Sequence, residues 1–253
     1  MHFISYRPLL RQLLFLFFSI TPFAAARSQT HATDSAFLLS AVKNAHELYS
    51  RSLGVGSHLL NGVQYKEYVA NFDDIGHPYF ESDDWVEGSV HYDGNLYEGV
   101  AILYDLWQEK VVIEHPYAGI KLELISEKIN YFSLSGHRFI RLDADTMKNS
   151  PIRTGFYDVL YDGRVKLYAK RRKEKKEQIV QNELQVEFSE SDRLYILKQG
   201  LYIPVKAKSS VLEVFNDRKS DLRKYIRKNR IHFRKHREEA IARVVSFYDE
   251  SGK

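Results

Sequence analysis

Apolar and polar residues alternate over much of the middle of the chain, from about Asn61 to Val205. The segment ELQVEFS shows this alternation most clearly, with apolar residues at Leu184, Val186 and Phe188. In VKLYAK, which ends at Lys170, the odd-numbered residues are predicted to point inward and the even-numbered residues to face solvent. A period of two residues predicts β-strands with one buried face and one solvated face.

Turn signals and further short strands extend this pattern. Tyr-Asp-Gly occurs at 92–94 and again at 161–163, and Asp-Gly favours hairpins because both residues tolerate a positive φ, which we expect for Gly94 and Gly163. The segment YEGVAILYD is apolar at odd and even positions, which predicts a strand covered on both sides. Short strands follow in KVVIEH, IKLELI, INYFSL and HRFIRLD. The run predicts a curved, mainly antiparallel β-sheet, either a meander or a partly closed barrel.

Helical spacing replaces the alternation at both ends of the chain. Apolar residues predict one helix from Ser35 to about Tyr49. After Val205, Ser210 precedes Glu213 by three residues, as in a capping box, and two or three helices with one apolar face each follow. The chain is therefore predicted to be an α+β protein. Residues 27–205 would form the N-terminal helix and the β domain, and residues 206–253 a basic helical tail packed on that domain.

Residues 1–26 have the order of a secretory signal peptide. Two arginines precede an apolar run from Leu13 to about Ala25, and three alanines predict cleavage after Ala26. The run is shorter than the roughly 20 residues that cross a bilayer, and Pro22 interrupts it. The chain has no cysteine, which excludes a lipid-anchoring cysteine and a disulfide framework. We therefore expect a periplasmic or secreted protein with no transmembrane span after signal cleavage.

Four segments resemble a group of uncharacterised exported proteins of Gram-negative bacteria. They are GSVHYDGNLYEGVAILYD, EHPYAGIKLELISEKINYFSLSGHRFIRL, GFYDVLYDGRVKLYAKRRK and DRKSDLRKYIRKNRIHFRKHREEAIARVVSFYD. The resemblance covers nearly all of the chain after the predicted signal peptide. It implies a secreted β-rich domain with a YDG motif and a basic helical C-terminus, and it carries over no catalytic residues.

Charge is segregated along the chain, although the formal net charge is only +4. From Ser57 to Asp145, sixteen acidic residues face six basic ones, whereas Lys206 to Arg237 contains twelve basic and three acidic residues. Such a basic region can bind an anionic envelope component, for example a lipid head group, lipopolysaccharide, an anionic glycan or an acidic protein. It can also be a solvated surface, and export argues against nucleic acid. The candidate ligand-binding residues are Arg171, Arg172, Arg223, Lys224, Arg227 and Lys228.

An acidic segment between residues 73 and 85, termed the acidic loop, indicates a different class of function. Its carboxylates, histidine and tryptophan could hold a hard cation, bind a glycan or serve a hydrolase. The residues concerned are Asp73, Asp74, His77, Asp83, Asp84 and Trp85. Their spacing matches no EF-hand, and such a segment is commonly a turn with its tryptophan in the core.

A histidine pair in the basic tail is the remaining candidate for metal binding. His232 and His236 would share a helix face, but neighbouring cations disfavour a metal ion there, and His236 is expected near a helix start instead.

Common catalytic and nucleotide-binding motifs are missing from the sequence. It contains no G-x-S-x-G, H-E-x-x-H, Walker loop or dinucleotide fingerprint. Distant residues can still form a catalytic dyad, so this absence favours a non-enzymatic protein without excluding an enzyme. We expect a binding or assembly module of the bacterial envelope, with no cofactor and no metal. The alternative is a hydrolase, or a metal- or glycan-binding protein, that uses the acidic loop.

Overall fold

The computed structural model describes residues 58–69, 74–116, 118–146 and 151–251, together with residues 37, 38, 40–42, 44 and 45. The chain divides into two compact units, Met1–Gly54 and Val55–Lys253. In the first unit the described residues are helical and exposed, which confirms a helix inside the range predicted for 35–49. The predicted signal peptide and both ends of that helix lie outside the described residues.

The second unit is built on one eleven-stranded sheet and one separate hairpin. The sheet order is β1-β5-β4-β3-β2-β6-β7-β8-β9-β12-β13, and β10 pairs with β11. The strands are β1 Val63–Gln64, β2 Val86–Tyr92, β3 Asn95–Asp105, β4 Lys110–Glu114, β5 Lys121–Glu123, β6 Ile129–Leu134, β7 His137–Leu142, β8 Gly155–Asp162, β9 Lys166–Lys170, β10 Lys173–Val180, β11 Glu183–Glu190, β12 Arg193–Lys198 and β13 Leu201–Val205.

Adjacent strands of both sheets pair antiparallel, as the sequence predicts. Three register shifts, at Gly88/Ser89, His91/Tyr92 and Val159/Tyr161, mark irregularities that bend and twist the strands. The large sheet is open, with β1 and β13 at its edges. Of the two predicted shapes, the curved meander is therefore the one observed.

The two Tyr-Asp-Gly turns differ in their backbone. Between β2 and β3, Asp93 and Gly94 have φ angles of 50° and 82°, as predicted for a two-residue hairpin. Gly163 lies between β8 and β9 and is not in the left-handed region, so the prediction for this glycine is wrong. Glycine is needed there for space. An added Cβ would overlap Oδ2 of Asp249 and lie 2.8 Å from Cε1 of Tyr161.

Gly163→Ala is expected to lower the free energy of unfolding by about 1–2 kcal/mol, because the new methyl group must displace the Asp249 carboxylate. Urea denaturation at neutral pH measures the change. The same substitution in an Asp249→Ala background should cost less, since the overlapping carboxylate is gone. Equal costs in the two backgrounds would contradict the explanation.

Three helices complete the second unit: α1 Lys208–Val214, α2 Lys219–Lys228 and α3 Arg237–Glu250. His236 is the N-cap residue of α3, which confirms its predicted place at a helix start. The N-cap of α1 is Ala207, and Ser210 lies in the first turn of the helix. The Oγ of Ser210 accepts a hydrogen bond from the Ala207 N–H at 3.1 Å. Within the described residues, no helix has the length and apolar character needed to span a membrane.

One row of strand partners shows how the inner face of the sheet is covered. In order across the sheet, the row consists of Val90, Phe132, Phe139, Asp158, Ala169, Leu194 and Val205. On the β2–β7 side the core is rich in aromatic rings, with Phe132 stacked on Phe139 at 4.7 Å. On the β9–β13 side the core is shared with the three helices. The three helices therefore pack on the β9–β13 side of the sheet, and Asp158 lies between the two sides.

Strand β9 is buried on both faces from Leu167 to Lys170, which corrects the prediction that Tyr168 and Lys170 are solvated. Tyr168 and Lys170 are 4% and 6% exposed. The outer face carries a second cluster that includes Tyr157, Tyr168 and Tyr195, and the Lys170 ammonium lies 4.8 Å from the centre of the Tyr157 ring. The last four residues of β3, from Ile102 to Asp105, are also buried, as predicted for a strand covered on both sides.

Candidate functional site

Helix α2 presents four of the predicted candidate cations to solvent. Leu222 and Ile226 are 0% and 4% exposed and anchor the helix to the core. Arg223, Lys224, Arg227 and Lys228 are all exposed. Four more exposed cations follow in the chain, and together we term the eight the basic face: Arg223, Lys224, Arg227, Lys228, Arg230, Arg234, Lys235 and Arg237.

Little negative charge compensates the basic face. Lys224 lies 3.7 Å from Oδ1 of Asp221, and within the described parts of the chain no other cation of the face forms an ion pair. The pairs 223/227 and 224/228 are four residues apart, and such like-charge pairs cost an isolated helix about 0.2–0.5 kcal/mol each. The helix dipole favours Arg227 and Lys228 in the last turn, but it does not reduce the repulsion between the positively charged side chains. A multivalent anion would relieve that repulsion.

Arg171, another predicted binding residue, lies inside the protein and is 9% exposed. It follows Ala169 by two residues, so it emerges on the core face of the sheet. Burial alone would lower the pKa of Arg171, but hydrogen bonds to Glu238, Asp192 and Asp158 raise it well above its usual value. This cation is therefore not part of an anion-binding surface. Arg172 is half-buried, and its backbone N–H donates to Oδ1 of Asp192 at 3.2 Å.

Arg171 is the centre of an ionic cluster that we define as Arg171, Asp158, Asp192, Glu238 and His137. Its Nε and Nη2 donate to Oδ2 of Asp158 at 3.0 and 2.6 Å. Nη1 and Nη2 reach the two carboxylate oxygens of Glu238 at 2.6 and 2.8 Å, and Nη1 also donates to Asp192 at 2.7 Å. The guanidinium thus joins β8, the β11–β12 connection and the first turn of α3. The Arg171 side chain therefore connects the helical tail to the middle of the sheet.

His137 stands at the edge of the ionic cluster. Its Nδ1 is 2.8 Å from Oδ2 of Asp158, and its Nε2 is 3.6 Å from Oε1 of Glu81. An Asp–His pair can orient a general base, but here the same carboxylate oxygen also accepts two hydrogen bonds from the Arg171 guanidinium. In the part of the chain that the structure describes, no group of three or more acidic or histidine side chains could hold a metal ion. The geometry is that of a structural cluster.

The acidic loop divides between structural and solvent-facing residues. Asp74 accepts hydrogen bonds from the Tyr68 hydroxyl at 2.7 Å and the Val186 N–H at 2.8 Å, so its carboxylate is used within the fold. Trp85 packs against the buried cluster of Tyr65 and Tyr79. Asp83 and Asp84 are exposed, and Asp73 lies outside the described residues. Among the described residues of the acidic loop, Asp74 and Trp85 therefore contribute to packing within the fold, and Asp83 and Asp84 face solvent.

His77, the remaining residue of the acidic loop, is held near a buried lysine. The Lys173 ammonium donates to the backbone oxygens of His77 and Tyr79 at 2.9 and 2.7 Å. Burial, and then the positive charge of Lys173, lowers the pKa of His77 below its usual value. We therefore expect a neutral imidazole at pH 7, stacked against Tyr79 with the ring centres 6.1 Å apart.

The sequence contained one signal for the ionic cluster. In GFYDVLYD, apolar residues at both even and odd positions flank Asp158, so a carboxylate lies in a segment that is apolar on both faces. A buried carboxylate requires a cationic partner or several donors. Which of the many cations fills this role depends on strand register, because Arg171 becomes its neighbour only when β8 pairs with β9.

Comparison with known proteins gives no match to a family model, a curated protein or a solved structure. The predicted likeness to exported bacterial proteins stays a prediction. The basic face and the ionic cluster are therefore interpreted from their own contacts, burial and charge.

Proposed function

We propose that the protein is an exported, non-enzymatic binding or assembly module of the bacterial envelope, and that its basic face contacts a phosphate-bearing anionic surface there. The observation that carries this proposal is the set of eight exposed cations, of which seven have no carboxylate within 4 Å among the described residues. The proposed place of action, the periplasm or the exterior, depends on the signal-peptide pattern of residues 1–26.

The anchoring of the face supports binding over a purely solvated tail. Helix α2 is held by buried apolar side chains, so the backbone positions that carry its four cations are fixed when an anion arrives. Ile231 is buried and Phe233 packs against the helix-covered core, so two apolar residues between the cations point away from solvent. A surface with exposed cations and inward-facing apolar residues suits electrostatic contact with phosphate groups, without insertion into hydrocarbon.

Replacing Arg223, Lys224, Arg227 and Lys228 together with glutamine is expected to weaken binding to vesicles that contain phosphatidylglycerol at least tenfold, since each cation near an anionic surface contributes about 1 kcal/mol. Binding of the parent protein should also fall steeply with salt, because exposed charges are screened within about 10 Å at 0.1 M. Cosedimentation over a salt series measures both effects. Folding should be nearly unchanged, as surface substitutions commonly cost under about 0.5 kcal/mol each.

The matched control replaces four exposed lysines outside the face with glutamine, namely Lys66, Lys176, Lys206 and Lys208. It removes the same net charge and should retain most of the binding. Equal losses in both variants would show that net charge, and not the basic face, determines association. If the parent protein shows no salt-sensitive retention on phosphatidylglycerol or lipopolysaccharide, the face is only a solvated surface and the proposed function is wrong.

A further inference from the structure

The β10–β11 hairpin, Lys173–Glu190, which we term the arm, has an exposed outer part and a base that packs against an aromatic cluster. Ile179 and Leu184 near its tip are 77% and 51% exposed, whereas Phe188 at its base is buried. Phe188 meets Tyr68 and Trp107 there. We term these three rings, which come from three separate segments of the chain, the aromatic box.

The three rings of the box pack edge to face. The ring centres of Tyr68 and Phe188 are 5.2 Å apart, those of Trp107 and Phe188 6.1 Å, and those of Tyr68 and Trp107 6.4 Å. The interplanar angles are 76°, 66° and 80°. The Tyr68 and Trp107 rings are thus nearly perpendicular, as two adjacent walls of a cation-binding cage are, and Phe188 packs edge to face against both.

Two walls of the box are held in place by hydrogen bonds. The Tyr68 hydroxyl donates to Asp74, whose other oxygen accepts the Val186 N–H of the arm. The backbone N–H of Trp107 donates to Oδ1 of Asp105 at 2.8 Å in the β3–β4 turn. Burial, and then the hydrogen bond to Asp74, raises the pKa of Tyr68 to about 12, so this wall stays neutral at physiological pH.

A cation of the protein itself occupies the box. Nζ of Lys175 lies 4.9 Å from the ring centre of Tyr68 and 5.1 Å from that of Trp107. The same ammonium pairs with Oε1 of Glu177 at 2.7 Å. The Glu177 side chain is 55% exposed and Trp107 is 38% exposed, so one carboxylate and one wall of the box are open to solvent.

The primary ammonium of Lys175 suits the aromatic box less well than a quaternary ammonium group would. A primary ammonium has three N–H donors, and ring faces are poor substitutes for the water that it gives up. A quaternary ammonium has no N–H to leave unsatisfied, and aromatic cages recognise it for this reason. We propose that the aromatic box is a binding site for quaternary ammonium groups, and that Lys175 fills it as an internal ligand which such a group displaces.

Lys175→Thr tests the proposal, because a short side chain that suits a strand removes the internal ligand and does not reach the rings. The probe is tetramethylammonium chloride, titrated against sodium chloride at equal ionic strength. The readout is the fluorescence of Trp107 in a Trp85→Phe background, since the chain has two tryptophans. We expect at least tenfold tighter binding than in the parent protein, and an increase in Tm with the probe that sodium chloride does not give. Trp107→Leu in the same variant should abolish the Tm increase.

Lys176→Thr is the matched control, because Lys176 is the exposed neighbour of Lys175 and its loss changes the net charge equally. It should bind the probe as the parent does. Equal affinities of Lys175→Thr and Lys176→Thr, or no binding by either, would overturn the proposal. If Lys175→Thr does not fold, Lys175→Gln makes the same comparison. Phosphocholine and Nε-trimethyl-lysine then distinguish the source, since preference for the first indicates a lipid head group and preference for the second a methylated protein.

The test is independent of the basic face. None of its variants changes Arg223, Lys224, Arg227 or Lys228, and the probe carries no negative charge. A negative result for the quaternary ammonium site would therefore not affect the proposed contact with an anionic surface. A negative result for the basic face would likewise not affect the proposed quaternary ammonium site.

Discussion

Arg171→Met is expected to lower the free energy of unfolding by about 3–5 kcal/mol, the usual effect of removing one partner from a buried ion pair. The substitution keeps a long apolar side chain but leaves Asp158, Asp192 and Glu238 facing one another without their cation. Asp158 is 0% exposed, so its buried carboxylate would lose the hydrogen bonds of the guanidinium and keep His137 as its neighbour at 2.8 Å. Urea denaturation at pH 7 measures the loss, and lower protease resistance of the α3 end would locate it at the junction of tail and sheet.

Arg172→Met is the matched control for this prediction. The two arginines are adjacent, but Arg172 is half-buried and joins the cluster only through its backbone N–H, so its replacement should cost less than about 1 kcal/mol. If Arg171→Met also cost less than about 1 kcal/mol, the three carboxylates would have to be neutralised in some other way. The contacts of Arg171 would then not be what stabilises the packing of the helical tail on the sheet.

Asp249→Asn is expected to cost about 2 kcal/mol at neutral pH, because a charged acceptor strengthens several hydrogen bonds at once. Its carboxylate accepts from the Arg164 N–H and the Tyr161 hydroxyl, both at 3.1 Å, and from the Val165 N–H at 3.3 Å. It also pairs with Nε of Arg164 at 3.2 Å. The Asp249 carboxylate thus connects the last turn of α3 to the β8–β9 turn. Replacing it with a neutral amide weakens each of these hydrogen bonds and removes the ion pair with Arg164.

The effect of Asp249→Asn should depend on pH. Burial alone would raise the pKa of Asp249, but the Arg164 N–H, the Tyr161 hydroxyl and the Arg164 guanidinium together lower it below its usual value. The folded state therefore favours the ionised form, and its stabilisation is complete above the unfolded pKa of about 3.9. It is lost as the pH falls through the lower folded pKa. The difference between parent and variant should shrink below about pH 4 in urea titrations.

Asp162→Asn serves as the control, since Asp162 is exposed on the same turn and should show little change at either pH. A difference between parent and Asp249→Asn that stayed constant from pH 7 to pH 3 would show that shape, and not charge, makes Asp249 important.

Alternation and turn residues predicted the class of the fold because they depend on local physics. An antiparallel strand with one solvent-facing side must alternate apolar and polar residues. Asp93 and Gly94 supply the two positive φ angles that a two-residue hairpin needs. Gly163 shows the limit of this reasoning. Its role depends on Asp249, a residue 86 positions later in the chain, and no local pattern contains that contact.

The candidate residues were predicted less completely than the fold, for a similar reason. The exposed cations of α2 follow from helical period, since Leu222 and Ile226 define the opposite side. Arg171 belongs to an equally basic run, yet it is buried because strand register places it beside Asp158. Density of charge along a sequence does not distinguish a solvated cation from one that neutralises the interior. The aromatic box was missed because its rings come from three segments that only tertiary packing brings together.

The position of the arm has a consequence for how the chain folds. Strands β2 to β5 and β6 to β9 pair largely with their neighbours in sequence, which requires only short loops to close, whereas β9 must find β12 across the whole arm. The arm has its own left-handed turn at Gln181 and Asn182, and its pairing brings Lys173 beside Glu190. Once this hairpin has formed, on the microsecond scale typical of hairpins, β9 and β12 are separated by only a few residues at its base. The hairpin that carries Phe188 of the aromatic box thereby also lowers the entropy cost of adding β12 and β13 to the strands that precede the arm.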